Sequence, residues 1–206
     1  MRHISFILIS GLIGVYFCLT SCLHAAAPDL TAEEEAWLKD HDGKVRLVHT
    51  PDWPPLDFLG ENGEPVGMVA DYIRLIQKKL NFKFKVVPVE SWTEMLDRAR
   101  AGTIDVISAG QETEDRKKFM RWSSPFLNLK TTIIVRKELK GELSLSKMQG
   151  MKIGVAEAYA VGEFIRQNYP DLIMINVDNP QEGIRQVSFG ELDAMITEVP
   201  NALYII

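Results

Sequence analysis

The sequence is short of the residues that most often carry chemistry. Only 2 of its 206 residues are cysteine and only 4 are histidine. Both cysteines, Cys18 and Cys22, fall within the first 27 residues together with His3 and His24, which leaves His41 and His49 for the rest. A small module stapled by disulfides is excluded. Two histidines are too few for a typical zinc site unless carboxylates join them, so no metal is expected. HExxH, GxSxG, GxGxxG and the phosphate-loop pattern GxxxxGK are all missing. Metalloprotease, hydrolase-elbow, dinucleotide and nucleotide-loop readings therefore lack their minimum residues, and no cofactor is expected.

Basic clusters are scarce as well. No run is longer than Arg116-Lys117-Lys118, and 23 basic side chains face 28 acidic ones, a net charge of −5. A polyanion would meet a surface of its own sign, so nucleic acid is not an expected partner. With 46% hydrophobic residues, 10 Pro and 14 Gly, the chain is neither disordered nor collagenous, and it can form a core.

The N-terminus has a different composition. Arg2 and His3 precede Ile4 to Leu23, a stretch without formal charge. A positive start followed by an apolar run is the pattern of a secretory signal, so residues 1–27 read as a leader and the protein as exported. Ala25-Ala26-Ala27 suits ordinary cleavage, although Pro28 would sit beside the cut. Leu19-Thr20-Ser21-Cys22 suits lipoprotein processing, with Cys22 as the lipidated residue. A third reading is an uncleaved anchor, since about 20 apolar residues can span a bilayer.

Beyond the leader, strand and helix patterns alternate. Thr31 to Asp40 reads as a short helix behind a hydroxyl cap, Lys44 to Thr50 as a strand, and Pro51-Asp52-Trp53-Pro54-Pro55 as a loop. Val69, Tyr72, Ile73, Ile76 and Leu80 share one helical face. Phe82 to Val87 reads as a strand, Ser91-Trp92-Thr93-Glu94 as a capping box opening a helix, and Ile104 to Ser108 and Lys130 to Val135 as strands. After the charged segment from Arg136 to Lys147 the alternation restarts: strand from Lys152, helix from Tyr159, strand from Ile173, helix behind Asn179-Pro180, and strand from Asp193. The alternation argues for parallel α/β sheets.

The helix-ending run Gly102-Thr103-Ile104-Asp105 is echoed by Gly190-Glu191-Leu192-Asp193. Glycine is a common helix cap, so the echo alone is weak. Joined to the two alternations, it suggests two similar lobes: 28–135, a crossover at 136–150, and 151–206.

The richest segment is IDVISAGQETEDRKKFMRWSSP, from Ile104 to Pro125. A strand ends at Ser108, a small polar loop follows, and Thr113-Glu114-Asp115 looks like a cap with an acidic first turn. Such a loop leads backbone N–H groups and a hydroxyl toward a crevice that favours anions. By itself Arg116, at the edge of that loop, reads first as a surface ion-pair partner.

The runs HTPDWPPLDF, GMVADYIRLIQKKL, DVISAGQETEDRKKFMRWSSPF and GELDAMITEVPNALY, in this order, resemble the periplasmic solute-binding proteins of family 3, the amino-acid-binding Venus flytraps. The likeness spans about Val45 to Ile206. The start, LTAEEEAWLKDH, is more similar to the flytrap sensor domains of hybrid histidine kinases. The resemblance implies a two-lobed type II periplasmic-binding-protein fold in the periplasm, a small-molecule ligand, and a membrane sensor kinase, cyclase or ABC permease as partner. It implies that Trp53 and Trp92 sandwich an apolar part of the ligand. Ser108, Gly110, Gln111 and Arg116 would hold its carboxylate, and Glu198 its amino group. At Ala158-Tyr159-Ala160 the family's hydroxyl is missing, so Tyr159 and Ala160 would contribute backbone N–H groups, and Glu198 stands where Asp is usual. A periplasmic dehydratase of the same fold, acting on a prephenate-like acid, is the competing class. The family's chain returns to its first lobe after the second, whereas NALYII ends this one, so the sequence reads as truncated or as the front of a longer receptor.

Overall fold

A computed structural model of the protein describes residues 28–141 and 143–206. The leader, its processing and Cys22 lie outside the described residues. The first helix, α1 (Ala32–His41), is fastened at its start by a reciprocal pair. Thr31 Oγ1 accepts from the Glu34 N–H at 3.3 Å, and the Glu34 carboxylate accepts from the Thr31 N–H at 2.8 Å. There follow β1 (Arg46–Val48), β2 (Asp52–Trp53), β3 (Asp57–Leu59), β4 (Pro65–Val66), α2 (Met68–Leu80), β5 (Lys85–Val86), α3 (Trp92–Arg100) and β6 (Val106–Ile107).

β1 lies between β5 and β6 and runs parallel to both, while β2, β3 and β4 form a small antiparallel sheet. The proline-rich run thus contains a two-residue strand where a loop is expected; it sits on the edge of its sheet, where proline costs no ladder bond. Val48, Val89, Met95 and Ile104 form one core. α2 buries Val69, Ala70 and Ile73, while Tyr72 and Ile76, on the flank of the same stripe, stay largely exposed.

The second lobe contains β7 (Thr131–Val135), β8 (Lys152–Ala156), α4 (Ala160–Asn168), β9 (Ile173–Val177), α5 (Pro180–Phe189), β10 (Ala194–Glu198) and α6 (Val199–Ile205). Its strand order is β7-β10-β8-β9, with β7 antiparallel to β10 and the other pairs parallel. Met148, Ile153, Val155, Ile165, Ala194 and Ile196 form its core.

Two sequence expectations need correction. The sequence pattern places Thr131–Val135 in the first lobe, ending it at residue 135, but all five of its residues register with β10 in the second lobe's sheet. The chain therefore passes between sheets before Thr131, and 136–150 connects two strands of one sheet. Alternating patterns locate strands without saying which neighbour they pair with. Thr113-Glu114-Asp115 opens only a single 3-10 turn, Arg116–Lys118, with Thr113 Oγ1 accepting from the Arg116 N–H at 3.3 Å.

The echo between the lobes is a shared hydrogen-bond device. Gly102 and Gly190 both take positive φ, at 66° and 78°. Three residues later, the Asp105 carboxylate accepts from the Arg46 N–H at the edge of β1, and the Asp193 carboxylate from the Lys152 N–H opening β8, each at 2.8 Å. The Asp105 and Asp193 N–H groups in turn donate to the carbonyls of Arg46 and Lys152. Each acid closes the gap between two parallel strands at their amino ends, which leaves the carboxyl ends to carry the loops of the site.

Candidate ligand-binding site

Four strands deliver candidate residues from their carboxyl ends. β1 leads to Thr50, Asp52 and Trp53, β6 to Ser108, Gly110 and Gln111, β8 to Ala158, Tyr159 and Ala160, and β10 ends on Glu198. These are the positions where open α/β sheets place ligands.

Arg116 is the centre of the arrangement. It is 2% exposed, so the surface ion-pair reading fails. Its Nη1 donates to the Gln111 carbonyl and its Nη2 to the Ala158 carbonyl in the other lobe, both at 2.7 Å. Nη2 is also 3.7 Å from Glu163 Oε1 on α4. The guanidinium carbon lies 5.1 Å from the Trp92 ring centroid, a cation–π approach. Nε is buried without a partner. Burial draws the guanidinium below the usual arginine range, with Glu163 opposing, and it stays charged.

Trp92, the first residue of α3, donates its indole N–H to the same Ala158 carbonyl at 3.2 Å and meets the Tyr159 ring edge-on at 6.2 Å. Ala158 itself is held at φ 57°, in the left-handed region that alanine seldom enters. That turn aims its carbonyl at the first lobe. Gly110 sits against two indoles: a Cβ there would lie 3.1 Å from Trp92 and 3.5 Å from Trp122.

Ser108 has a role other than the one expected. Its hydroxyl donates to the fully buried Asp57 at 2.5 Å, where His49 Nδ1 at 2.7 Å and the Thr50 N–H at 2.9 Å also converge. The hydroxyl proton is committed inside the first lobe, so toward a ligand Ser108 can only accept. Trp53 packs on Leu56, Val69 and Ala109, and its indole N–H is buried without a partner. Gln111 enters through its main-chain carbonyl, its residue otherwise being exposed.

On the opposite wall, Tyr159 caps α4 without a side-chain bond, and Ala160 begins that helix, buried. Burial pushes the Tyr159 hydroxyl far above its ordinary value, and the charges of Asp52 and Glu198 push it the same way. Glu198 caps α6 through its backbone and accepts from Thr197 Oγ1 at 3.2 Å. Burial also raises the Asp52 carboxyl. Asn201, fully buried, donates to the Pro54 carbonyl at 2.7 Å and ties the start of α6 to the loop after Asp52.

The structure thus brings Trp92, Gly110, Gln111, Arg116, Tyr159 and Ala160 together around one junction between the lobes. Asp52, Trp122, Glu163 and Asn201 join them without standing among the sequence candidates, and Ala158 joins through its carbonyl. Asp52 and Trp122 lay inside the runs that carry the resemblance, but the Ala158 carbonyl had no signal, because backbone conformation at an alanine leaves no trace in residue type.

Comparison with known proteins agrees with this architecture. The sensor protein EvgS of Escherichia coli is 26% identical over 178 residues, 86% of this chain and 15% of its own length. The chain therefore spans a small part of that relative. An ancestral arginine-binding protein bound to arginine superposes with a TM-score of 0.71 at 29% identity, covering 79% of this chain and 73% of that one. The periplasmic VFT2 domain of Bordetella pertussis BvgS superposes at 0.75 with 22% identity, covering 86% and 75%, a likeness of fold. Among the described residues no helix is long and apolar enough to cross a membrane. The fold is the two-lobed periplasmic-binding-protein fold, and the model of the bacterial extracellular solute-binding proteins, family 3, matches residues 45–182, from the start of β1 into α5; the chain belongs to that family.

Proposed function

We propose that this protein binds a small solute, an amino acid or a related carboxylate, between its lobes outside the cytoplasm, and that lobe closure is the signal it passes to a membrane-bound sensor kinase. The observation that carries this reading is Arg116, a buried guanidinium on the first lobe with a donor to spare, reached from the second lobe by Ala158 and Glu163. A ligand carboxylate would take Nε, the donor left free while both Nη groups hold main-chain carbonyls of the two lobes. Each such charge-assisted bond contributes about 1.5 to 3 kcal/mol. Ligand shifts the balance of open and closed forms only by the difference in its contacts with the two, and a donor set completed from both lobes supplies that difference.

Sensing is favoured over ABC-type uptake by the similarity to EvgS, which extends over 86% of this chain and includes its opening helix. Binding is favoured over turnover because both Nη groups of Arg116 and the Trp92 indole N–H are engaged in holding main-chain carbonyls rather than in activating a nucleophile. Calorimetry and thermal shift with a panel of amino acids and organic acids test the proposal. Saturable stabilisation by one member is expected, together with its loss in R116A. Silence across the panel overturns the reading, and turnover of a prephenate-like acid replaces it with a dehydratase.

A further inference from the structure

The second lobe's sheet ends on an open strand. β9 stands at the outside of the order β7-β10-β8-β9 and pairs only with β8. The Val177 carbonyl accepts from the Glu157 N–H just past the end of β8, so the main-chain groups of Ile173, Ile175 and Val177 turn inward. These groups alternate along a strand, and the N–H and C=O of Met174 and Asn176 therefore point away from the sheet. Among the described residues nothing bonds them; Asn176 has a partner only through its side-chain oxygen, which accepts from Arg166.

Such edges are ordinarily guarded by shortness, charge, proline or a bulge. The edge strands β2, β4, β5 and β6 are two residues long, and three of them contain Asp52, Pro65 or Lys85. β7, the other five-residue edge, exposes only Thr131. β9 reads Ile-Met-Ile-Asn-Val, without charge or proline, and its register with β8 is unbroken. It leaves Ile173 46% and Ile175 38% exposed.

The strand also matches itself. An antiparallel ladder needs outward-facing residues opposite each other, and the register that pairs all of β9 with a second β9 sets Met174 of one chain opposite Asn176 of the other. Ile175 then lies on the two-fold axis against its own copy, in the close position with Cα atoms about 4.5 Å apart. Ile173 falls opposite Val177. The flanking acids do not meet, because Asp171 falls opposite Asn179 and Asp178 opposite Leu172. A two-fold pairing closes on itself and leaves no edge.

We infer that β9 is an interface between two copies of this chain, joining their second-lobe sheets antiparallel into one continuous sheet. The inference goes beyond solute binding and does not depend on it. One strand pair buries less than the roughly 1,200 Å² of a stable interface, so the dimer dissociates in the micromolar range. Lobe closure then moves two first lobes about a joined pair of second lobes.

Sedimentation velocity of the purified protein, over about two decades of concentration, should show monomer passing to dimer. I175K sets two ammonium groups against each other on the axis and should weaken dimerisation at least about tenfold. Thermal unfolding of the diluted variant checks its fold. Under mild oxidation I175C should cross-link to its own copy above the level of the unaltered protein, whereas F189C, 70% exposed on α5, should not. A monomer at every concentration, a dimer that persists in I175K, or equal cross-linking of I175C and F189C overturns the assignment. If I175K fails to fold, cross-linking decides alone. An edge that takes an extended segment of another protein instead leaves the unaltered chain monomeric, and the two-copy assignment falls. Every one of these outcomes leaves solute binding untouched.

Discussion

The guanidinium of Arg116 in the first lobe donates to the carbonyl of Ala158 in the second across 2.7 Å, and the Trp92 indole donates to that same oxygen. One main-chain carbonyl, turned inward by an alanine in the left-handed region, thus joins the lobes at the place where a ligand carboxylate would bind. In the proposed site a ligand carboxylate would take the neighbouring Nε, so lobe contact and ligand would meet on one guanidinium.

R116K tests that link. A lysine ammonium lacks the planar fork that reaches the Gln111 and Ala158 carbonyls together. The variant should lose about 1 to 3 kcal/mol, because one of the two charge-assisted bonds from the buried guanidinium to the Gln111 and Ala158 carbonyls goes unmade. Small-angle scattering should report a larger radius of gyration than for the unaltered protein. An unchanged radius would show that Arg116 does not hold the lobes.

Asp57 should matter more to stability than to binding. Its carboxylate, fully buried, accepts from His49, Thr50 and Ser108. D57A strands all three donors and should cost about 3 to 5 kcal/mol in urea unfolding. S108A removes one donor and should cost about 1 kcal/mol. Equal losses for the two would contradict the network.

Gly67 and Gly43 separate crowding from backbone strain. Gly67, at φ 101° before α2, would place a Cβ 2.6 Å from the Leu56 carbonyl oxygen and 2.7 Å from that of Pro55. Gly43, at φ 69°, has open space around it. G43A should cost about 1 kcal/mol, the price of the left-handed region alone. G67A should cost more than about 2 kcal/mol, since backbone oxygens cannot move aside. Chemical denaturation of the two variants checks the order.

The Arg46–Asp105 pair makes a pH-dependent contribution. Hydrogen bonds from the Arg46 side chain and backbone lower the Asp105 carboxyl from 3.8 to about 2. Because the folded value lies below the unfolded one, the contribution is complete above about pH 4 and disappears as the pH falls toward 2. The side chains are 35% and 40% exposed, so solvent screening limits it to less than about 1 kcal/mol. The stabilities of D105N and the unaltered protein should differ at pH 7 and converge near pH 2. A difference that persists at pH 2 would assign the effect to packing.

Much of the architecture is legible in the chain itself. Periodicity locates α2, the Asn179-Pro180 start sets α5, and the apolar runs at Lys152–Ala156 and Ile173–Val177 coincide with β8 and β9. These features depend on interactions within a few residues: capping bonds, helix-face spacing and alternation. Even Asp105 and Asp193 show in sequence as an echo, because each must follow a helix-ending glycine to reach the neighbouring strand.

Tertiary structure decided what depends on pairing between distant segments. Thr131–Val135 could only be placed once β10 was present to bond it, and Ser108 could face a ligand or Asp57 equally well until the fold brought Asp57 beneath it. Residue type sets what a side chain can donate or accept. Which partner it meets, and whether a backbone carbonyl such as that of Ala158 reaches it first, depends on how separate elements pack.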